Sequence, residues 1–209
     1  MSIIALTSNT LSTPAAAGQI EYESPIFAAT PIGTQRGIIP TQQYYRLNAA
    51  VTGSDVTTAQ SVFGVGCTLS ASTVYEFEIA FGLAKSAGVT SHTIAFGFGG
   101  TVGIGNIYYD ISSTNMSGSA STIVVNSATT RGYVAVSTPT VATNATGSAL
   151  NSASMLIKGT VSITTGGTLI PQYTLSAAPG GAYSTAAGSY IRINPLGASG
   201  AAINEGTWA

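Results

Sequence analysis

The side chains best suited to chemistry are two pairs of glutamates, and each pair has one residue between its members. Glu76 and Glu78 lie in VYEFEIAFGL, and Glu21 and Glu23 lie in QIEYES. Residues two apart on a β-strand share a face, so each pair places two carboxylates roughly 7 Å apart. Such carboxylates could act as the acid and base of glycoside hydrolysis, or could bind Ca²⁺. Because neither pair has a further acid or an asparagine beside it, we expect solvated or interface carboxylates instead.

His92 and Cys67 are the only histidine and the only cysteine of the chain. Two such residues are too few for a zinc site, which takes three or four ligands. No GxSxG sequence marks a nucleophilic serine that His92 could activate. We expect His92 to form a hydrogen bond at the start of a strand and Cys67 to be a small buried apolar residue.

The glycine-rich run GFGGTVGIGN follows a predicted strand, as a nucleotide-binding loop would. It lacks the Lys-Ser/Thr of a P-loop, and the segment IYYDI follows it in place of a helix. We therefore interpret its glycines as turn residues. The sequence predicts no catalytic residue, no cofactor and no metal, and hence a protein that is not an enzyme.

The tyrosines are the remaining candidates for a binding surface. An aromatic ring offers a large contact area at low entropic cost, so a group of them could line a carbohydrate or protein surface. Half-buried positions within strands are the alternative. The candidates are Tyr44, Tyr45, Tyr108, Tyr109, Tyr183 and Tyr190.

The composition indicates a surface that is covered by other protein. Charged residues make up 6% of the 209 residues and apolar residues 44%, whereas about a quarter of an ordinary domain is charged. Little charge repulsion remains to keep copies apart, so we expect an oligomer or a larger particle. The six basic residues are scattered, which disfavours nucleic acid as a partner. The apolar stretch at the start, MSIIALTSNT, is too short for a signal peptide or a membrane span, and it has no positively charged region.

Strict alternation of apolar and polar residues predicts an all-β protein with about nine strands. The clearest runs from Tyr75 to Leu83 and should bury Phe77, Ile79 and Phe81. The segment His92 to Gly100 should bury Ile94, Phe96 and Phe98, and we expect it to form a hairpin with the first strand. Short strands punctuated by Gly and Ser indicate a jelly-roll-like antiparallel β-sandwich. The other predicted strands are Tyr44 to Leu47, Asn106 to Ile111, Ser121 to Val125, Tyr133 to Ser137, Met155 to Ile163, Thr168 to Leu175 and Ser189 to Ile193.

The first 40 residues differ from the rest of the chain. They contain Pro14, Pro25, Pro31 and Pro40, and prolines at this density oppose a helix and favour an extended path. We therefore predict two parts, an extended N-terminal arm over residues 1–40 and a β-sandwich over residues 41–209. The apolar tip of the arm should bind another surface.

Several blocks of the sequence resemble a domain of minor structural proteins of tailed bacteriophages, especially those of cyanobacteria and other aquatic bacteria. The blocks are TPAAAGQIEYES, RGIIPTQQYYRLN, FGVGCTLSASTVYEFEIAFGLAK, SHTIAFGFGG, the long run from GTVSITTGG to INPLG, and GTWA. The resemblance extends from Pro14 to Ala209 and lies in the order and spacing of the blocks. It implies a virion component without enzymatic activity, with a jelly-roll sandwich that assembles as a homotrimer.

Two structural roles in a virion follow from this resemblance. The first is a head decoration or cement protein on the outer capsid surface, assembled in the host cytoplasm, whose partners are its own copies and the major capsid protein. The second is a receptor-binding or adhesive knob of a tail or head fibre, for which a host glycan is a candidate partner. Only thirteen residues precede Pro14, where a fibre would have a long shaft, and this favours the first role. The predicted interface residues are Ile3, Ile4, Leu6, Tyr22, Tyr44, Tyr45 and Trp208.

Overall fold

Alternating apolar residues form sixteen β-strands in this computed structural model, which describes residues 6–117, 128–200 and 202–204. These residues contain no helix, and so none that could span a membrane. The strands are β1 (Gln19–Glu23), β2 (Ile26–Ile32), β3 (Gln35–Ile39), β4 (Gln43–Arg46), β5 (Val51–Thr52), β6 (Gln60–Ser61), β7 (Cys67–Leu69), β8 (Thr73–Lys85), β9 (Ile94–Gly100), β10 (Gly103–Ser117), β11 (Ala128–Val134), β12 (Thr140–Val141), β13 (Asn151–Thr165), β14 (Gly167–Leu175), β15 (Ser184–Thr185) and β16 (Tyr190–Ala198). The predicted strand from Ser121 to Val125 lies outside the described residues.

The strands form an antiparallel β-sandwich. The larger sheet has eight strands, in which β11, β10, β13 and β8 are neighbours and β16 and β15 pair with successive parts of β8. The short strands β4 and β5 complete it by pairing with β16 and β15. The smaller sheet runs β12, β9, β14, with β6 and β7 paired along β14. From β8 to β15 the chain passes repeatedly from one sheet to the other, as in a jelly roll.

The core lies between the two sheets and contains the side chains that alternation predicts. Phe77, Ile79 and Phe81 of β8 are buried, and so are Phe96 and Ile94 of β9. The rings of Phe77 and Phe98 meet edge to face with centroids 5.4 Å apart, across the gap between the sheets. The prediction of an all-β sandwich with this core is confirmed.

The predicted hairpin between the first two long strands is wrong. β8 and β9 lie in different sheets, where β8 pairs with β13, β15 and β16, and β9 pairs with β12 and β14. Each strand has one strongly apolar face. When the strands lie in two stacked sheets, these faces are buried against each other, whereas in a hairpin both faces would be exposed unless another element covered them. Residues 86–93 therefore cross between the sheets.

The turn at Gly166, between β13 and β14, also joins the two sheets. Pro171 lies in β14, where the sequence predicts an edge or a bulge because proline cannot donate a backbone hydrogen bond. The edge of β14 that faces away from β9 pairs with two separate short strands. Pairing with β7 ends at Leu169, and pairing with β6 begins at Gln172. Pro171 falls between them, and its carbonyl accepts a hydrogen bond from Val62 N–H.

The N-terminal residues fold into a small sheet, which differs from the expected extended arm. Strands β1, β2 and β3 form an antiparallel meander, and β2 approaches β16 of the larger sheet. The prolines fit this meander because of where they lie. Pro25 is in the turn between β1 and β2, Pro31 is at a register irregularity in β2, and Pro14 and Pro40 lie outside the strands.

The segment before β1 is attached to the small sheet by hydrogen bonds. Asn9 N–H donates to the carbonyl of Tyr22, and the backbone and hydroxyl of Ser12 both donate to the Glu21 carboxylate. Arg36 forms an ion pair with Glu21 at 2.9 Å. The Ser12 hydrogen bonds, with a smaller effect of Arg36, lower the pKa of Glu21.

Lys85 joins several loops at one end of the sandwich. Its buried ammonium donates to the carbonyls of Ala87, Gly88 and Ser148 at 2.6 to 3.0 Å. Desolvation lowers the pKa of Lys85, and the nearby Asp55 carboxylate opposes this effect. The loop that leaves β8 and the loop that precedes β13 are thus held together by a single side chain.

Candidate functional site

The outward face of the larger sheet collects most of the charged residues of the chain. Strand register places one residue from each of six strands in a single row across this face. Of the six basic and seven acidic residues of the sequence, four basic and three acidic ones lie on this face. We call it the charged face. The row consists of Tyr133 (β11), Asp110 (β10), Lys158 (β13), Glu78 (β8), Arg192 (β16) and Tyr44 (β4).

Glu78 is at the centre of the row and has three partners. Its carboxylate lies 2.8 Å from Lys158 Nζ and 2.9 Å from Arg192, and it accepts a hydrogen bond of 2.7 Å from the Tyr190 hydroxyl. The sequence predicts solvated or interface carboxylates, and Glu78 is not a solvated one because it is 8% exposed, whereas Glu76 is exposed. Lys158 has the largest effect, and with Tyr190 and Arg192 it holds the pKa of Glu78 at about 2 against desolvation. Glu78 therefore stays ionised at neutral pH and is a poor proton donor.

The substitution Glu78→Gln should weaken the pH dependence of stability in acid. The folded-state pKa is about 2 and the unfolded value is near 4.5, so the ionised carboxylate stabilises the fold above pH 4.5. This contribution declines as the pH falls from 4.5 to 2. Because Lys158 is more than half exposed, we expect only about 1–2 kcal/mol in urea denaturation. Glu76→Gln is the control, and equal acid slopes for wild type and Glu78→Gln would contradict the prediction.

Two pairs of stacked tyrosines flank the charges. Tyr108 and Tyr133 stack with centroids 5.9 Å apart near the β11 edge, and Tyr44 and Tyr190 stack at 5.7 Å near the β4 edge. Tyr133 is 72% exposed and Tyr108 50%. The sequence predicts that Tyr133 begins a strand but does not single it out as a candidate, because a tyrosine in a predicted strand gives no sign of which strand will lie beside it.

Two of the tyrosine candidates are core residues. Tyr109 and Tyr183 are buried, and desolvation raises the pKa of each to about 12. Tyr45 is exposed but points away from the charged face, since it meets the buried Phe63 edge to face at 6.1 Å. Tyr44, Tyr108 and Tyr190 are the predicted tyrosines that the fold brings to the charged face.

His92 belongs to a buried hydrogen-bond chain. Its Nδ1 lies 2.8 Å from the Thr90 carbonyl, which can only accept, so this nitrogen carries the proton. Nε2 then accepts from the Tyr183 hydroxyl at 2.8 Å, and that oxygen accepts from Asn151 Nδ2 at 2.6 Å. This confirms the prediction of a hydrogen-bonded histidine at a strand entry.

A separate apolar cavity of about 350 Å³ lies where β4 and β7 meet at the margin of the sandwich. Tyr45, Phe63, Val65 and Cys67 contribute to its lining. Cys67 is half-buried, its Sγ lies 3.2 Å from Gln43 Oε1, and desolvation raises the pKa of its thiol. The thiol is therefore less enclosed than the sequence predicts.

The four predicted interface residues that the structure describes do not form one cluster. Leu6 is exposed ahead of the small sheet, whereas Tyr22 is half-buried and stacks on Phe27 with centroids 4.5 Å apart. Tyr44 and Tyr45 occupy opposite faces of β4. Ile3, Ile4 and Trp208 lie outside the described residues.

The smaller sheet carries no charged residue in any of its strands. Its outward positions on β9 are Ala95, Gly97 and Gly99, and those on β14 include Thr168 and Gln172. The glycines predict close approach of another sheet or subunit, and the structure shows approach from within the same chain. A Cβ at Gly97 would lie 2.8 Å from Pro139, and one at Gly99 would meet Gln172. We call this surface the uncharged face.

No cluster of three or more His, Cys, Asp or Glu side chains that could hold a metal occurs within the described ranges. The arrangement on the charged face is instead one of paired and unpaired charges beside exposed aromatic rings. Comparison of the chain with known family models, with curated proteins and with solved structures gives no match.

Proposed function

We propose that this protein is a structural component of a tailed-phage virion, a homotrimeric decoration protein that stabilises the capsid from outside by burying surface against the major capsid protein. Its action is binding alone, without catalysis, a cofactor or a metal. The resemblance of the sequence blocks supports the virion, and the distribution of charge over the sandwich supports the mode of action.

The uncharged face is the observation that carries the proposal. Burying a charged side chain without a partner is costly, so surfaces that are permanently covered by protein are poor in charge. The smaller sheet lacks charge completely in its strands, while the opposite sheet is densely charged. This distribution of charge fits an assembly in which the smaller sheet is buried and the larger sheet faces water.

Exposed aliphatic side chains on the N-terminal part supply the second contact. Ile20 and Ile32 of the small sheet are about two-thirds exposed, and Leu6 is also exposed. Burying an aliphatic side chain contributes about 1.5–3 kcal/mol before ordering costs are subtracted. We assign the uncharged face to contacts within the trimer and the N-terminal aliphatic residues to the capsid.

Removal of residues 1–7 should greatly reduce occupancy on expanded capsids. The truncated protein keeps Ser8, whose hydroxyl accepts a hydrogen bond from Ser24 N–H and helps to hold the small sheet. It loses the aliphatic tip that includes Leu6. We expect occupancy to fall at least about tenfold at equal protein concentration, as measured by sedimentation with capsids of the parent phage.

Two controls accompany this experiment. Val89→Ser changes an exposed valine in the loop that leaves β8 and should leave occupancy unchanged. Light scattering should give three copies of the 20.9 kDa chain for both the full-length and the truncated protein. A stable monomer, or a full-length protein that does not bind capsids, would overturn the proposed function.

A further inference from the structure

The charged face has a depression in which two of the charged groups, Asp110 and Arg131, are not used by the fold. A cavity of about 470 Å³ lies over β10, β11 and β13 at the β11 end of the row. Asp110, Arg131, Tyr133 and Lys158 surround it, and Leu156 contributes to its lining. Neither a role in the core nor the proposed trimer contact accounts for this group, because it lies on the outward side of the sheet opposite the uncharged face.

Asp110 and Arg131 have no ion pair and no side-chain hydrogen bond within the described part of the chain, in contrast to Glu78. Lys158, their neighbour, is engaged by Glu78 at 2.8 Å. Asp110 therefore offers a carboxylate that can accept two hydrogen bonds, and Arg131 offers a guanidinium that can donate several. A ligand with adjacent donors and acceptors could satisfy both.

The aromatic rings beside this depression indicate the other half of the ligand. Tyr133 stacks on Tyr108 through one ring face, and at 72% exposure it has surface left for a second contact. The face of an aromatic ring attracts apolar CH groups. Because the site has few apolar aliphatic residues besides Leu156, the tyrosine ring is the main apolar surface that it offers to a ligand. The ligand should thus combine a ring with CH groups and a set of hydroxyls.

We propose that the charged face binds a polysaccharide, with one sugar ring against Tyr133 and its vicinal hydroxyls hydrogen-bonded to Asp110 and Arg131. Sugar hydroxyls both donate and accept, so they can pair with the two charges without removing either from water completely. The stacked pair Tyr44 and Tyr190 lies five strand intervals away, roughly 24 Å, and marks the far end of the site.

The extended length of the site favours a polymer over a single sugar. A second cavity of about 280 Å³, lined by Glu76, Arg192 and Asn194 among others, lies along the same face between the two tyrosine pairs. It shares Lys158 with the first cavity. A chain of several sugar rings can therefore run across the strands from one tyrosine pair to the other. This activity is additional to capsid decoration and does not depend on it.

The test is native gel electrophoresis of the full-length protein in gels that contain alginate, glucomannan or dextran. We expect at least one polysaccharide to retard the wild-type protein. Tyr133→Ala removes the ring against which the sugar packs, and Asp110→Asn removes a charged hydrogen-bond acceptor, so each should weaken this binding at least about tenfold. Tyr45→Ala, an exposed tyrosine on the other side of β4, is the matched control and should bind as the wild type does.

Each contrary result overturns the proposal. It fails if none of the three polysaccharides retards the wild-type protein, or if Tyr133→Ala and Asp110→Asn leave retardation intact. It also fails if Tyr133→Ala alters the mass measured by light scattering, because the face would then be a contact between copies. Occupancy of Tyr133→Ala on capsids should equal that of the wild type, which separates this site from the decoration function.

Discussion

Phe77→Ala is expected to destabilise the protein by about 3–5 kcal/mol, the range for removing a phenyl ring from a tightly packed core. Phe77 is buried at the middle of β8, and β8 is a central strand of the larger sheet. Its ring contacts Phe98 of the other sheet and lies 6.3 Å from the Tyr109 ring. Alanine would therefore leave a cavity between the two sheets and remove a contact that joins them.

Urea denaturation, monitored by circular dichroism, is the suitable measurement for Phe77→Ala. A loss of this size is a large part of the 5–15 kcal/mol that typically stabilises a domain, so much of the variant protein should be recovered unfolded. Tyr108→Ala, an exposed aromatic residue of the same sheet, should cost less than about 1 kcal/mol. Similar midpoints for the two variants would show that the centre of the sandwich is loosely packed.

Lys85→Met should destabilise the protein by about 1–3 kcal/mol, although methionine matches the length and apolar character of the lysine stem. The substitution removes the donor for the carbonyls of Ala87, Gly88 and Ser148 and leaves these part-buried acceptors without their partner. An unsatisfied buried polar group typically costs about 1–3 kcal/mol. The loops beside β8 and β13 should loosen together.

Lys158→Met is the matched control for Lys85→Met. Lys158 is 59% exposed at its side chain, and an ion pair of this kind contributes at most about 1 kcal/mol. Hydrogen exchange should locate the effect of Lys85→Met in residues 86–92 and 144–150. A Lys85→Met protein as stable as the Lys158→Met protein would mean that water can replace the ammonium.

The amino-acid sequence by itself determined the class of the fold and the identity of much of the core. Alternation encodes which face of a strand is buried, so Phe77, Ile79 and Phe81 and the inward residues of β9 could be assigned without coordinates. The hydrogen-bonded state of His92 also followed, because a single histidine at a strand entry has few other roles. These properties depend on residues that are near one another in the chain.

Pairing between strands was decided by the tertiary structure alone. Alternation reports the buried face of a strand and not its neighbour, which is why the hairpin of β8 with β9 was predicted wrongly and why the small N-terminal sheet was not foreseen. The same reason applies to the charged face. Asp110, Lys158, Glu78 and Arg192 are far apart in sequence, and only the register of four strands aligns them in one row. The strands of the smaller sheet contain no charged residue, so the register of the larger sheet alone decides where these charges gather, and it sets opposite charges side by side on one side of the sandwich.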